Sequence, residues 1–231
     1  LQNTHTAILL FSKFSCQKQA NEKVFLRNVN SQTNQQIASS LFEYTFELVQ
    51  KTHLPFFWIG AKEQVGETFG ERISHATLQV FQKGYENVII IGDDCPSLSL
   101  SDFKKATQAF TKHQPSIGFA EDGGAYLIGI SKQHFQKNNF ASLAWQKSNL
   151  GEGLIAYFDD FGTEVSLLST KSDIDNYVDW VEIIHALPHQ HSFKRTIQHL
   201  FSISSSPEII YFYIYQLIFY FSIKSLRAPP H

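Results

Sequence analysis

Four consecutive β-branched residues, Val88-Ile89-Ile90-Ile91, run directly into Gly92, Asp93, Asp94, Cys95 and Pro96. A run with no polar alternation leaves no side for solvent. Such a strand needs cover on both faces, the situation of a central strand in a largely parallel sheet flanked by helices. Two adjacent carboxylates then fall where the buried strand ends.

Five further strand-like runs accompany this one: Ala7 to Phe11, Pro55 to Ile59, Ser116 to Ala120, Ala125 to Ile130 and Glu164 to Leu168. Helical periodicity fills the gaps between them. Ile37, Leu41, Thr45, Leu48 and Val49 line one face of a helix over 34–51. Phe69, Ile73, Ala76 and Val80 do the same over 69–83, and Gly84 is placed to end that helix in the left-handed region. Ser99, with Asp102 three residues on, predicts a capped helix start whose inner stripe is Phe103, Thr107 and Phe110. Two more helices are expected, over 151–161 and 176–187. The order is a β-α alternation, so the fold class is α/β with helices on both faces of a mostly parallel sheet.

The composition supports a packed domain. Of 231 residues, 43% are hydrophobic and 21 are Phe, well outside the disordered range. Nineteen Lys and Arg against 21 Asp and Glu leave a net charge of -2, which argues against nucleic acid as a partner and favours a small polar ligand. The two cysteines, Cys16 and Cys95, have no metal-like or redox spacing, and a reduced, cytoplasmic protein is expected. The apolar run near the start lacks a basic region ahead of it and is expected to be a strand rather than a signal peptide. The chain contains no methionine, even at position 1, so its true ends stay open.

The domain is expected over residues 5–190, followed by an extension over 191–231. From Ile209 to Ile223 that extension is almost entirely aliphatic and aromatic. It is short of the roughly 20 residues that a spanning helix needs. Three readings stand: a tail peripheral to the membrane, an element packed on the domain or on a second copy, and translated sequence with no native role.

In an open α/β sheet, ligands bind beyond the carboxyl ends of the strands. Asp93 and Asp94 sit at such an end, and Asp173 and Asp175 follow another strand. Each pair has a plain reading, as a turn or a helix cap. If the two strand ends share a sheet edge, Asp94 and one of the later aspartates can hold a divalent cation between them, since Mg²⁺ takes one or two carboxylates together with substrate phosphates. Asp122-Gly123-Gly124 is a turn between strands, or a place where bare backbone admits a substrate. Arg72, at a helix start, pairs with Glu71 or forks to a phosphate. His185, His189 and His191 are expected to be a solvated helix end, and Cys95 a packing residue whose thiolate the neighbouring carboxylates disfavour.

The ordered set FGERI, VIIIGDDCP, DGGAYLIGI, FASLAWQKS and SDIDN, spread between Ala7 and Trp180, resembles the rSAM/selenodomain-associated transferase 1 family, bacterial glycosyltransferase-like proteins of unknown function. The resemblance implies a GT-A fold, that of the nucleotide-diphospho-sugar transferases, with three α/β/α layers. It implies a nucleotide or nucleotide-sugar and a small-molecule acceptor as partners, Mg²⁺ or Mn²⁺ as cofactor, and transfer of a nucleotidyl or glycosyl group. Residue by residue it points to Asp94 and Asp122 as catalytic, Asp94 with Asp173 and Asp175 as metal ligands, and Gly123, Gly124 and Tyr126 in the acceptor-side loop. Asp93 stands where relatives carry Ser or Asn, and Ala125 where they carry an aromatic residue. Arg72 is expected to contact phosphate, and Lys13, Lys18 or Lys23 of the first loop to supply a further positive charge there. That first loop departs from the family in having no glycine and no Lys-Thr-Arg, so the alternative is a catalytically degenerate protein that binds a nucleotide or metabolite.

Overall fold

A computed structural model describes residues 5–12, 31–174 and 177–203. Six strands form one sheet: β1 (Thr6–Phe11), β2 (Phe56–Ile59), β3 (Asn87–Ile91), β4 (Ser116–Phe119), β5 (Ala125–Ser131) and β6 (Ser166–Leu167), in the order β2-β1-β3-β5-β4-β6. β1 pairs in parallel with β2 and with β3, and β4 in parallel with β6. β5 alone runs the other way, antiparallel to both β3 and β4. It is reversed because it returns from β4 through the tight turn at Gly123, whose φ of 89° lies in the left-handed region.

Parity along the central strands assigns the helices to the two faces. Ile8 and Leu10 of β1 and Ile89 and Ile91 of β3 point to the side covered by α1 (Ser31–Lys51) and α3 (Leu100–Phe110). Ala7, Leu9 and Phe11, with Val88 and Ile90, point to α2 (Phe69–Gln82), α4 (Lys137–Ala141) and α5 (Leu150–Asp159). Both faces of β1 are therefore dry, and each fully buried Ile or Leu there contributes about 1.5–3 kcal/mol. The three-layer α/β/α expectation is met.

Local chemistry sets the helix ends. The Thr68 side chain accepts from the Glu71 amide at 3.1 Å, and Glu71 Oε2 accepts from the Thr68 amide at 3.1 Å, which completes a capping box at the start of α2. Those backbone donors, from Thr68 and then Glu67, hold the Glu71 carboxyl below the usual range. α2 stops before Gly84, at φ 95°. At the start of α3, Asp102 Oδ2 accepts from both the amide and the hydroxyl of Ser99, at 2.9 and 2.7 Å.

A third apolar cluster lies outside the layers. Ile37 and Leu41 of α1 pack with Trp180, Ile183 and Ile184 of α6 (Tyr177–Ala186) and with Phe193 and Ile197 of α7 (Ser192–Ile203). His191, expected to be solvated, instead packs against Tyr44, ring centroids 5.1 Å apart, and burial lowers its pKa. Among the described residues no helix is long and apolar enough to cross a membrane. The aromatic tail over 209–223 lies outside them.

Candidate functional site

The ends of β1, β3 and β4, the start of β5 and the chain beyond β6 meet at one edge of the sheet. A backbone hydrogen bond joins the two acidic loops there, with the Ile174 amide donating to the Asp94 carbonyl at 2.8 Å. The loop beyond β6 is also stitched to β4: Lys171 N–H donates to Phe119 O at 3.1 Å, and Glu121 N–H donates to Lys171 O at 3.0 Å. Ser172 Oγ reaches the Glu121 carboxylate. The two strand ends expected to share an edge do share it.

Between them opens a cavity of about 320 Å³. Its mouth carries Asp93, Asp94, Asp122 and Asp173, together with Gln146 and Lys147. Each carboxylate is held differently. Asp93 Oδ2 accepts from the Ser12 hydroxyl at 2.6 Å, which fixes it to the end of β1. Asp94 folds over Gly92, where an added Cβ would lie 2.9 Å from Oδ1. Asp122 Oδ1 accepts from the Gly124 amide at 2.8 Å, which turns the exposed side chain along the mouth.

The other site candidates are distributed less favourably. Gly124 lines the cavity, but Gly123 packs instead against the loop before α5, where a Cβ would come within 1.8 Å of Ser148 O. Tyr126 does not reach the cavity. It is buried on the opposite face, its hydroxyl donates to Ser169 O at 2.9 Å, and burial, followed by the nearby Asp102, pushes its phenol far above the ordinary range. Successive strand residues point to opposite faces, so Ala125 takes the cavity position and Tyr126 the core. Arg72 is not brought in either: its guanidinium donates to the carbonyls of Thr68 and Glu67, at 3.1 and 3.0 Å. Lys13, Lys18, Lys23 and Asp175 lie outside the described residues.

Two features escaped the sequence reading. Lys147 is a cation at the acidic mouth, carried by a loop in which Gln146 adopts φ 60°. Its only signal is its place next to Trp145, in a stretch that looks like an insertion. The second is a buried ion pair, in which Lys171 Nζ donates to Asp102 Oδ2 at 2.6 Å and to Ser97 O at 2.5 Å.

Cys95 is buried, and its thiol is pushed up to about 12, first by desolvation and then by Asp94. Desolvation, rather than the carboxylates, is thus the main cause of its inertness. Because the thiolate is the reactive form, alkylation of Cys95 by iodoacetamide at pH 8 is expected to run roughly three orders of magnitude slower than for an ordinary thiol. Mass spectrometry of the Cys95 peptide before and after denaturation checks this; rapid labelling of the folded chain would contradict the burial.

Hard carboxylate oxygens fit a divalent cation. Among the described residues, no three His, Cys, Asp or Glu side chains converge as a ready-made cage. Asp94 and Asp173 stand on loops joined by the Ile174 to Asp94 hydrogen bond, and both line the same cavity.

No curated protein matches the chain. Among solved structures, it is similar to a candidate nucleotide-diphospho-sugar transferase from Desulfovibrio desulfuricans G20, with 20% identity over 85% of this chain and 95% of that one and a TM-score of 0.74. More distant are a 4-diphosphocytidyl-2C-methyl-D-erythritol synthase from Anaerococcus prevotii DSM 20548 (10% identity, 78% of this chain and 97% of that one, TM-score 0.49) and Rv0371c of Mycobacterium tuberculosis H37Rv in complex with manganese (9%, 80% and 100%, 0.47). The last two are too distant to bear on chemistry here. Residues 51–147, from the end of α1 to Lys147, match the model of a family described as uncharacterized protein conserved in bacteria (DUF2064). Residues 51–147 thus resemble that family, within a chain whose fold is similar to that of the Desulfovibrio desulfuricans structure.

Proposed function

We propose that the chain is a metal-dependent transferase that binds a nucleotide or nucleotide-sugar at the carboxyl edge of its sheet and passes a nucleotidyl or glycosyl group to a small acceptor. The observation that carries this reading is the Ile174 to Asp94 hydrogen bond of 2.8 Å, because it brings acidic loops from two distant parts of the chain to one cavity. A turn-forming role for each aspartate pair gives no reason for that convergence.

Asp94 and Asp173 would hold Mg²⁺ or Mn²⁺, with Asp175 as a further candidate. When bound, the ion supplies charge neutralisation on the phosphates. The chain's own residues do the rest. Asp93, fixed by Ser12, keeps the β3 end in place. Asp122, with one oxygen tied to Gly124, orients the acceptor hydroxyl and accepts its proton, a role that needs hydrogen-bond reach to the bound acceptor. Lys147 takes the cationic place at the mouth that Arg72, turned back onto its own helix, does not fill.

Calorimetric titration of the full chain with nucleoside triphosphates and nucleoside-diphosphate sugars, with and without Mn²⁺, tests the reading. Binding that requires the metal is expected, followed by product in a turnover assay. Binding without turnover favours the degenerate binding protein, and no metal-dependent binding of any of these ligands overturns the metal-dependent transferase.

A further inference from the structure

Below the acidic mouth the cavity turns apolar, a lining with no use for a phosphate. Its floor is Ile90, Ile128 and Leu150, and its side wall is Phe11, Phe69 and Trp145. Ring centroids are 5.5 Å apart between Phe11 and Phe69, nearly perpendicular, and 5.7 Å apart between Phe69 and Trp145. The wall is braced. The Trp145 indole N–H donates to the Phe140 carbonyl at 2.8 Å, and Gly70 lets the start of α2 press so close that a Cβ there would lie 2.6 Å from Trp145 Cδ1. Ala125, at the start of β5, contributes only a methyl group to the lining and so keeps the chamber open.

About 320 Å³ lies at the small end of the roughly 300–1,000 Å³ range of ligand pockets, enough for one ring with a short substituent. We infer that the acceptor is a small amphipathic alcohol whose single apolar ring lies against Phe69 and Trp145 and whose hydroxyl stands at the mouth beside Asp122. This rests on the transferase reading above. In the transfer, the acceptor oxygen forms the new bond and its proton passes to Asp122. The bond from the transferred group to the departing phosphate oxygen breaks, and the electron pair leaves on that oxygen. Acceptors that are polar all round, such as free sugars, would leave this apolar lining unmatched and gain little from it.

The test uses 2-phenylethanol as probe and glucose as control, followed by the indole N–H resonance of Trp145 in the ¹⁵N-labelled full chain. Saturable movement of the Trp145 signal by 2-phenylethanol is expected, with a dissociation constant on the order of millimolar, as suits a fragment of this size. Glucose should leave the signal in place. Ala125→Phe, which fills the chamber, should weaken the probe at least tenfold, and the wild-type contrast with glucose decides the matter if that variant does not fold. No movement with 2-phenylethanol, equal movement with glucose, or unchanged binding to folded Ala125→Phe would each overturn the assignment. Metal-dependent nucleotide binding is measured on the same sample. If it is present while the probe is ignored, only the acceptor assignment fails; if it is absent, the transferase reading itself falls.

Discussion

Replacing Lys171 by methionine is expected to lower the free energy of unfolding by about 3–5 kcal/mol, the range for removing one partner of a buried pair. The side chains of Lys171 and Asp102 are 13% and 3% exposed, so water does little to screen their 2.6 Å contact. Lys171 also lies 5.4 Å from the centre of the Tyr126 ring. Without it, the Asp102 carboxylate keeps the Ser99 donors but loses its only charged neighbour within ion-pair distance among the described residues. That is a large part of the roughly 5–15 kcal/mol by which domains of this kind are stable. Denaturant unfolding measures the change. The double variant Lys171→Met with Asp102→Asn should recover a good part of it, because the neutral amide still accepts from Ser99 at the start of α3. A loss under about 1 kcal/mol in the single variant would mean that water reaches the pair and the buried-charge argument is wrong. The effect extends to the site, because Lys171 is bridged to Ala120 and stands two residues before Asp173.

Most of the layer structure was legible because it depends on short-range pattern. Apolar runs marked the strands, and the capping residue Ser99 stood where α3 begins. What escaped depends on contacts distant in sequence or on single-residue parity. α4 has only five residues, too few for a periodic signal, and Phe193 in α7 packs against Tyr44 of α1, far along the chain. At the site, the joining of the loops of Asp94 and Asp173 was foreseeable because β3, β4 and β6 run in one sense. The faces of Ala125 and Tyr126 were not, since one step along β5 exchanges cavity for core and the pairing shifts between Gly118 and Phe119. Arg72 was misplaced for a similar reason: its chemistry suits a phosphate, but its own helix start offers two carbonyls within reach. Lys147 sits in an irregular loop that has no period to read.

Asp94→Asn is expected to cut metal-dependent turnover by at least about 100-fold, since even residues that only support metal ligands cost about 10–100-fold when changed. The substitution conserves shape and leaves the Asp94 carbonyl free to hold the Ile174 amide, so the loops should stay joined and the lost charge be what the assay reads. Asp173→Asn should fall into the same class. Asp93→Asn should cost about tenfold or less, as expected of a supporting residue, because its side chain is committed to the Ser12 hydroxyl at 2.6 Å and an amide oxygen can still accept there. Measuring kcat/KM across a Mn²⁺ titration separates the cases: loss of a ligand shifts the metal requirement upward, whereas loss of support mainly lowers the rate at saturating metal. The ordering is the decisive result. If Asp93→Asn proves more damaging than Asp94→Asn, the ion sits on the β1 side of the β3 end, and Asp173, on the far side of β3, cannot be its second ligand.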